Sequence, residues 1–340
     1  MTNKEIAEKL GISPTALSLI INHKKGVSNK TRNSVINEII KMGQEDIIKP
    51  ITKNGIKNIC FVIYLKHGKI LNSHPFFLLL METIETYTRK LGYNTILFTF
   101  DERQSKKAQI SHLHSLELQG IILFATEMTD DDLKPFKSIG IPIVAIDNEF
   151  SCSKLTTIAI DNRMGTFQAI SRLIKAGITR IGYLRSKVRI SSFCEREKGY
   201  QNALNYYQSS FMPKSVIDIS YSEEGSYRDF ISIFQNADAH KYLPEAFVCD
   251  DDTIALGALR AMHELGFKVP DDISIIGFNN RPSTNLTNPS LTTINVPKEA
   301  LALSAVDELI RLINKKQEKY VKKIRIGTEI VERNSVKLVK

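Results

Sequence analysis

Tryptophan is missing altogether, and the four cysteines, Cys60, Cys152, Cys194 and Cys249, stand far apart with no C-x-x-C pair. That spacing argues against a zinc ribbon, a dithiol redox centre or a disulfide scaffold, and fits reduced thiols. No apolar run reaches the roughly 18 residues needed to cross a bilayer, and the polar residues 2–9 lack a signal-peptide pattern, so cytoplasm without a membrane partner is expected. None of the 17 glycines is separated from another by a single residue, which removes G-x-G-x-x-G. Gly177 and Gly182 have P-loop spacing, but Tyr183 stands where the phosphate-binding lysine belongs. G-x-S-x-G and H-E-x-x-H are absent too, and His112 and His114 flank Leu113 on an expected helix and face apart. No catalytic residue, metal site or cofactor is expected, and the chain does not read as an enzyme.

At 340 residues the chain is too long for a single core, and 42% hydrophobic with 24% charged residues is the balance of a globular protein. The net charge of +9 is unevenly placed: residues 1–58 hold 10 Lys/Arg against 5 Asp/Glu, so +5 sits in the first sixth of the chain. A phosphate backbone attracts such a segment.

Residues 3–42 read as three short helices. Thr2 and Glu5 form a capping box ahead of Ile6, Ala7 and Leu10, and Gly11 ends the first helix. Ser13-Pro14 supplies an N-cap and a first-turn proline, so a second helix starts within three residues, the spacing of a DNA-binding helix-turn-helix. Leu17, Ile20 and Ile21 belong inside. About 100° per residue then leaves Thr15, Ser18, Leu19 and Asn22 on the opposite face, towards DNA. Hydroxyls bond base edges or phosphates, Asn suits adenine, and Leu meets only a thymine methyl. His23 and Lys24 follow near phosphates. Ser28 caps a third helix near Thr31, whose Val35, Ile36, Ile39 and Ile40 are expected to close the core.

From residue 59 apolar runs alternate with helical segments. Strands are expected at 59–65, 95–100, 120–125 and 141–147, with helices at 76–91, 108–118 and 133–139 between them. A second series runs through 156–162, 180–184, 216–219, 246–250 and 273–278. Such βαβα repetition means doubly wound parallel sheets, and two series suggest two lobes with a ligand cleft beyond the strands' carboxyl ends.

IAEKLGISPTALSLIIN followed by GVSNKTRNSV resembles the headpiece of the lactose-repressor/galactose-repressor family of bacterial regulators. The likeness continues through IAIDNRMGTFQAISRLIKAGITRIGYL, REKGYQNAL, DDTIALGALRAMHELGFKVPDDISIIGFNN, NPSLTTINVP and GTEIVERNSV. It implies an all-α headpiece at 1–48, a linker at 49–58, and an α/β periplasmic-binding-protein-like sensor of two doubly wound parallel sheets at 59–340. The N-lobe would span about 59–158 plus 289–318, and the C-lobe about 159–288 plus 319–340. The family's P-N-x-x-A-R-x-L hinge helix is missing from QEDIIKPITKNGIK, where Ile47, Ile48 and Ile51 are the apolar substitutes for its minor-groove wedge.

By the same resemblance, Asp147, Arg196, Asp251 and Asn279 would contact a ligand. Asp251 stands where Asn is common and Asn279 where Asp is common. Phe76, Phe77 and Tyr221 are the aromatic candidates for a sugar face. The implied protein is a ligand-responsive repressor, a homodimer on double-stranded operator DNA with a small carbohydrate-like effector. The alternative is a small-molecule binding protein or orphan sensor whose headpiece no longer reads an operator, favoured by the altered linker and the apolar Leu19.

Overall fold

In a computed structural model the chain divides into two compact units, Met1–Lys57 and Asn58–Lys340. The structure describes residues 2–22, 24, 26–44, 47, 57–70, 76–151, 153–208, 216–236, 243–314 and 320–338, without the side chains of residues 29, 30, 76 and 77.

The first unit holds α1 (Asn3–Lys9), α2 (Pro14–Ile21) and α3 (Asn29–Lys41). Each start is chemically fixed. Thr2 and Glu5 bond reciprocally, Ser13 Oγ accepts the N–H of Ala16 at 3.0 Å, and Ser28 Oγ accepts that of Thr31 at 3.1 Å. Gly11 takes φ +63°, which a residue bearing Cβ adopts at a cost, and so ends α1. Ile6, Ala7, Leu17, Ile21 and Ile39 form the core, with Val35 half-buried against it. Ile40 does not join them. It is 50% exposed, because one step of about 100° beyond Ile39 carries it off the buried stripe.

The second unit contains β1 (Lys57–Leu65), α4 (Phe76–Lys90), β2 (Tyr93–Asp101), α5 (Lys106–Ser115), β3 (Leu118–Phe124), β4 (Ile143–Ile146) and β5 (Thr156–Ile160). There follow α6 (Asn162–Lys175), β6 (Ile181–Ser186), α7 (Ser191–Tyr206), β7 (Val216–Ile219), α8 (Glu223–Phe234), β8 (Ala246–Cys249) and α9 (Asp252–Glu264). The last elements are β9 (Ser274–Asn279), β10 (Thr292–Asn295), α10 (Lys298–Asn314), β11 (Lys323–Ile326) and β12 (Glu329–Val331). The helix expected at 133–139 is instead two 3₁₀ turns, Asp130–Leu133 and Pro135–Ser138, since Pro135 has no N–H to continue an α-helix.

Two sheets result, in the orders β11-β5-β4-β3-β1-β2 and β12-β10-β9-β8-β6-β7. Buried apolar runs such as Ile59–Val62 and Ile121–Phe124 suit strands covered on both faces. Pairing is parallel for β1–β3, β3–β4, β4–β5, β5–β11, β6–β7, β6–β8, β8–β9 and β9–β10, and antiparallel for β10 with β12. The chain therefore returns between lobes later than the resemblance suggested. β10 is placed beside β9, with Thr292 opposite Ile276, so residues 292–295 belong to the second lobe. β11 is placed beside β5, with Lys323 opposite Thr157, so residues 323–326 belong to the first. The first lobe thus receives β11 and the second β12 as edge strands from the C-terminal part, and the chain crosses between the lobes three times. Among the described residues no helix is long and apolar enough to cross a membrane.

Candidate functional site

The first candidate surface is on α2. Thr15 and Ser18 are exposed as the helical spacing requires, while Leu19 and Asn22 are half-buried. Asn22 Nδ2 donates to the Ser18 carbonyl at 2.7 Å and to its hydroxyl at 3.3 Å, and Leu19 lies beside the Gly26 turn. Ser28 and Thr31 are exposed and bond one another at the start of α3 (2.8 Å), and Lys24 is exposed. His23 lies outside the described residues. One residue missed from sequence organises this unit. Arg32 of α3 donates to the carbonyls of Leu19 (3.1 Å), Ile20 (3.4 Å) and Lys24, holding the last turn of α2. The final carbonyls of a helix lack partners within it, and a guanidinium matches several at once.

The second candidate is the region where the strands of both lobes end. Arg196 of α7 is 3% exposed. Its Nε donates to Asn162 Oδ1 at 2.8 Å, Nη1 to the Asp250 carbonyl, and Nη2 to Asn279 Oδ1 at 3.5 Å. The Phe278 ring lies beneath the guanidinium, 3.7 Å from its carbon. Asn279 donates in turn to Asp251, whose other oxygen accepts the Thr253 N–H at 2.7 Å and caps α9. Asp251 therefore both caps a helix and joins the polar cluster. Asp147, at the end of β4 and 8% exposed, accepts from the Thr126 hydroxyl at 2.6 Å and lies in the field of Arg196. Tyr221 packs against Phe193 with centroids 5.5 Å apart and the rings tilted by 41°. Asn279 thus links Arg196 to Asp251, and Asp147 feels the charge of Arg196. The side chains of Phe76 and Phe77 lie outside the described residues.

Backbone geometry marks the same ends. Asp147 (φ +63°) after β4, Asn279 (φ +107°) at the end of β9 and Asn280 (φ +51°) after it lie in the left-handed region, where residues with Cβ are uncommon and collect at functional sites. Two glycines make room. A Cβ at Gly277 would lie 2.1 Å from Asp252 Oδ1, so the I-I-G-F-N-N strand needs glycine to seat that carboxylate. At Gly199 it would meet the Arg163 carbonyl at 2.5 Å, so R-E-K-G-Y needs glycine where α7 crosses α6.

Asn162, Arg189, Asp250 and Asp252 were not picked out from sequence. Asp250 is fully buried and accepts from Tyr183 Oη, the Ser186 N–H and Arg189. Asp252 accepts from Thr293 (2.6 Å) and the Arg281 N–H (2.8 Å). The run of three aspartates at 250–252 was the available signal. A cavity of about 310 Å³ opens beside the cluster, with Thr129, Asn148 and Phe150 from the first lobe and Arg189, Ser191 and Cys194 from the second. Glu127 also lines it. Burial pushes the Glu127 pKa up, but backbone N–H bonds from Gly68, His67 and Ile70 outweigh this and hold it below the ordinary value.

Burial raises Asp147 and Asp250 to about 6 and Asp252 to about 7, Asp252 being pushed further by neighbouring Asp251. A carboxyl that holds its proton to higher pH when folded adds stability that is complete below the unfolded pKa and is lost as pH rises through the folded one. Thermal stability of the second unit is expected to increase from about pH 8 to about pH 5, and Asp252→Asn to flatten that slope. The lowered pKa of Glu127 and Asp132 acts oppositely, below this window. A melting temperature that falls steadily from about pH 8 to about pH 5 would contradict the assignment.

Comparison with known proteins bears on what these arrangements serve. A family profile described as periplasmic binding protein-like domain matches residues 170–336. The HTH-type transcriptional repressor PurR of Klebsiella pneumoniae (strain 342) is 27% identical over 341 residues, 98% of this chain and 96% of that one. A lac repressor dimer bound to operator and the anti-inducer ONPF superposes with a TM-score of 0.76 at 20% identity, covering 98% of each chain. A LacI family transcriptional regulator from Enterococcus faecium with bound ribose gives 0.67 at 25% identity, over 82% of this chain and 100% of that one. The helix-turn-helix, the two-lobed fold and the similarity to transcriptional repressors over nearly the whole chain agree with the resemblance of the sequence to the lactose-repressor/galactose-repressor family.

Proposed function

We propose that this chain is a repressor acting in the cytoplasm as a homodimer on operator DNA, controlled by a small, polyhydroxylated, sugar-like effector between its lobes. The observation that carries the reading is the Arg196 cluster. Arg, Asn and Asp side chains, each planar and able to bridge adjacent hydroxyls, converge beside the rings of Phe278, Phe193 and Tyr221. The bound ribose named for the Enterococcus faecium relative supports that effector class. Exposed Leu78 and Leu79 on α4, with Leu97 on neighbouring β2, support pairing with a second copy. The exposed hydroxyls of Thr15 and Ser18 on a well-capped α2 support a headpiece that reads DNA, against the orphan-sensor alternative.

Effector in the cleft would favour one angle between the lobes, and the two headpieces would transmit it as a change in DNA affinity. A thermal-shift screen against mono- and disaccharides, sugar phosphates and purines tests the effector class. A compound at about 100 times its Kd stabilises the fold by about 2.7 kcal/mol. Hits confined to sugars would agree with the reading, whereas hits confined to purines would replace it.

A further inference from the structure

The loop that leaves β1 is held by one side chain from elsewhere in the first lobe. Glu127 follows β3, and its carboxylate is completely buried. Oε2 accepts the backbone N–H groups of Lys66, His67 and Gly68, each at 3.0 Å, and Oε1 accepts that of Ile70 at 3.1 Å. Four backbone donors on one carboxylate fix the path of a short loop as a helix would, because charge-assisted bonds are the strong ones and a buried, unpaired N–H is costly. Lys66 adds a second tie, donating to Asp132 at 2.7 Å.

The residue delivered by this arrangement is Ile70. It is 3% exposed, yet the hydrophobic cluster to which it belongs is that of the second lobe, with Leu184, Phe193, Ile219 and Tyr221. An apolar side chain from one lobe is therefore buried among the residues that form the aromatic side of the cleft in the other. We propose that Glu127 is a positioning residue for the cleft: by fixing the loop after β1 it seats Ile70 in the second lobe, making the wall that the first lobe presents there. The choice of glutamate follows from the donors. Glutamine offers one acceptor oxygen and turns an NH₂ group towards N–H groups, and alanine offers nothing.

Calling this wall part of an effector site rests on the function proposed above. The test does not. Ile70→Cys is introduced into the full chain with Cys152→Ser and Cys194→Ser, leaving Cys60 in the first lobe and Cys249 in the second as buried thiols that report unfolding. Labelling by 5,5′-dithiobis(2-nitrobenzoate) is then followed. The introduced thiol is expected to react slowly, and about tenfold or more faster when Glu127→Ala is added, as local opening free energies of this size imply. Glu127→Gln is expected to give an intermediate rate, with Cys60 and Cys249 unreactive throughout. Rapid labelling with Glu127 intact would overturn the seating of Ile70. An unchanged rate in Glu127→Gln and Glu127→Ala would overturn the role of Glu127. If Glu127→Ala also exposes Cys60 and Cys249, the volume-conserving Glu127→Gln decides. An empty compound screen would fail the functional reading, whereas the labelling rates decide this one.

Discussion

Arg196→Ala is expected to abolish effector binding and to lower the stability of the second unit by about 3–5 kcal/mol, the range for removing one partner from a buried charged network. The effect is large because the guanidinium is shared. Its loss strands Asn162 Oδ1, the Asp250 carbonyl and Asn279 Oδ1, and withdraws the positive charge that favours ionised Asp147 and Asp250. It also uncovers the Phe278 ring. Arg196→Lys keeps the charge but concentrates it on one nitrogen, which cannot serve three acceptors in fixed directions. Urea unfolding measures the stability, and the ligand-induced thermal shift measures binding. A variant that keeps both near the parent's values would remove Arg196 from the centre of the site.

The second large effect is at the other end of the chain. Arg32→Ala leaves the carbonyls of Leu19, Ile20 and Lys24 without their guanidinium donor at the end of α2. Hydrogen bonds to charged groups contribute about 1.5–3 kcal/mol each, and a headpiece with so small a core has little stability to lose. DNA affinity is expected to fall about 30-fold or more, with the melting of the second unit unchanged. Arg32→Lys should recover only part of it. A phosphate contact alone would behave differently: affinity would drop modestly, its salt dependence would weaken by about one counterion, and lysine would restore it. The comparison therefore separates a helix clamp from a backbone contact.

Much of this was legible in the sequence, for local reasons. Ser13-Pro14, the Thr2–Glu5 box and Gly11 fix helix ends through bonds spanning three or four residues, so they act as their spelling suggests. The buried strands read easily because both faces of a parallel sheet are apolar. Arg196, Asp251 and Asn279 were named by resemblance, and the structure links them. What escaped depends on non-local geometry. Ile40 looked like core because one hydrophobic residue beside another does not reveal which faces inwards. The exchange of β10 and β11 between lobes depends on partners more than 15 and 160 residues away in sequence. Glu127 escaped because nothing around it in sequence shows that four N–H groups from residues 66–70 converge on it.

The measurement closest to the central claim is DNA affinity of the full chain, by fluorescence anisotropy, on the DNA flanking its own gene and on a scrambled duplex. It is read with and without the best sugar from the thermal-shift screen. Binding is expected to be tighter to the native flank, to weaken steeply with added salt, and to change about 5- to 150-fold with sugar, a response that Arg196→Ala eliminates. Equal affinity for both duplexes, unaffected by any compound that stabilises the second unit, would contradict the central claim.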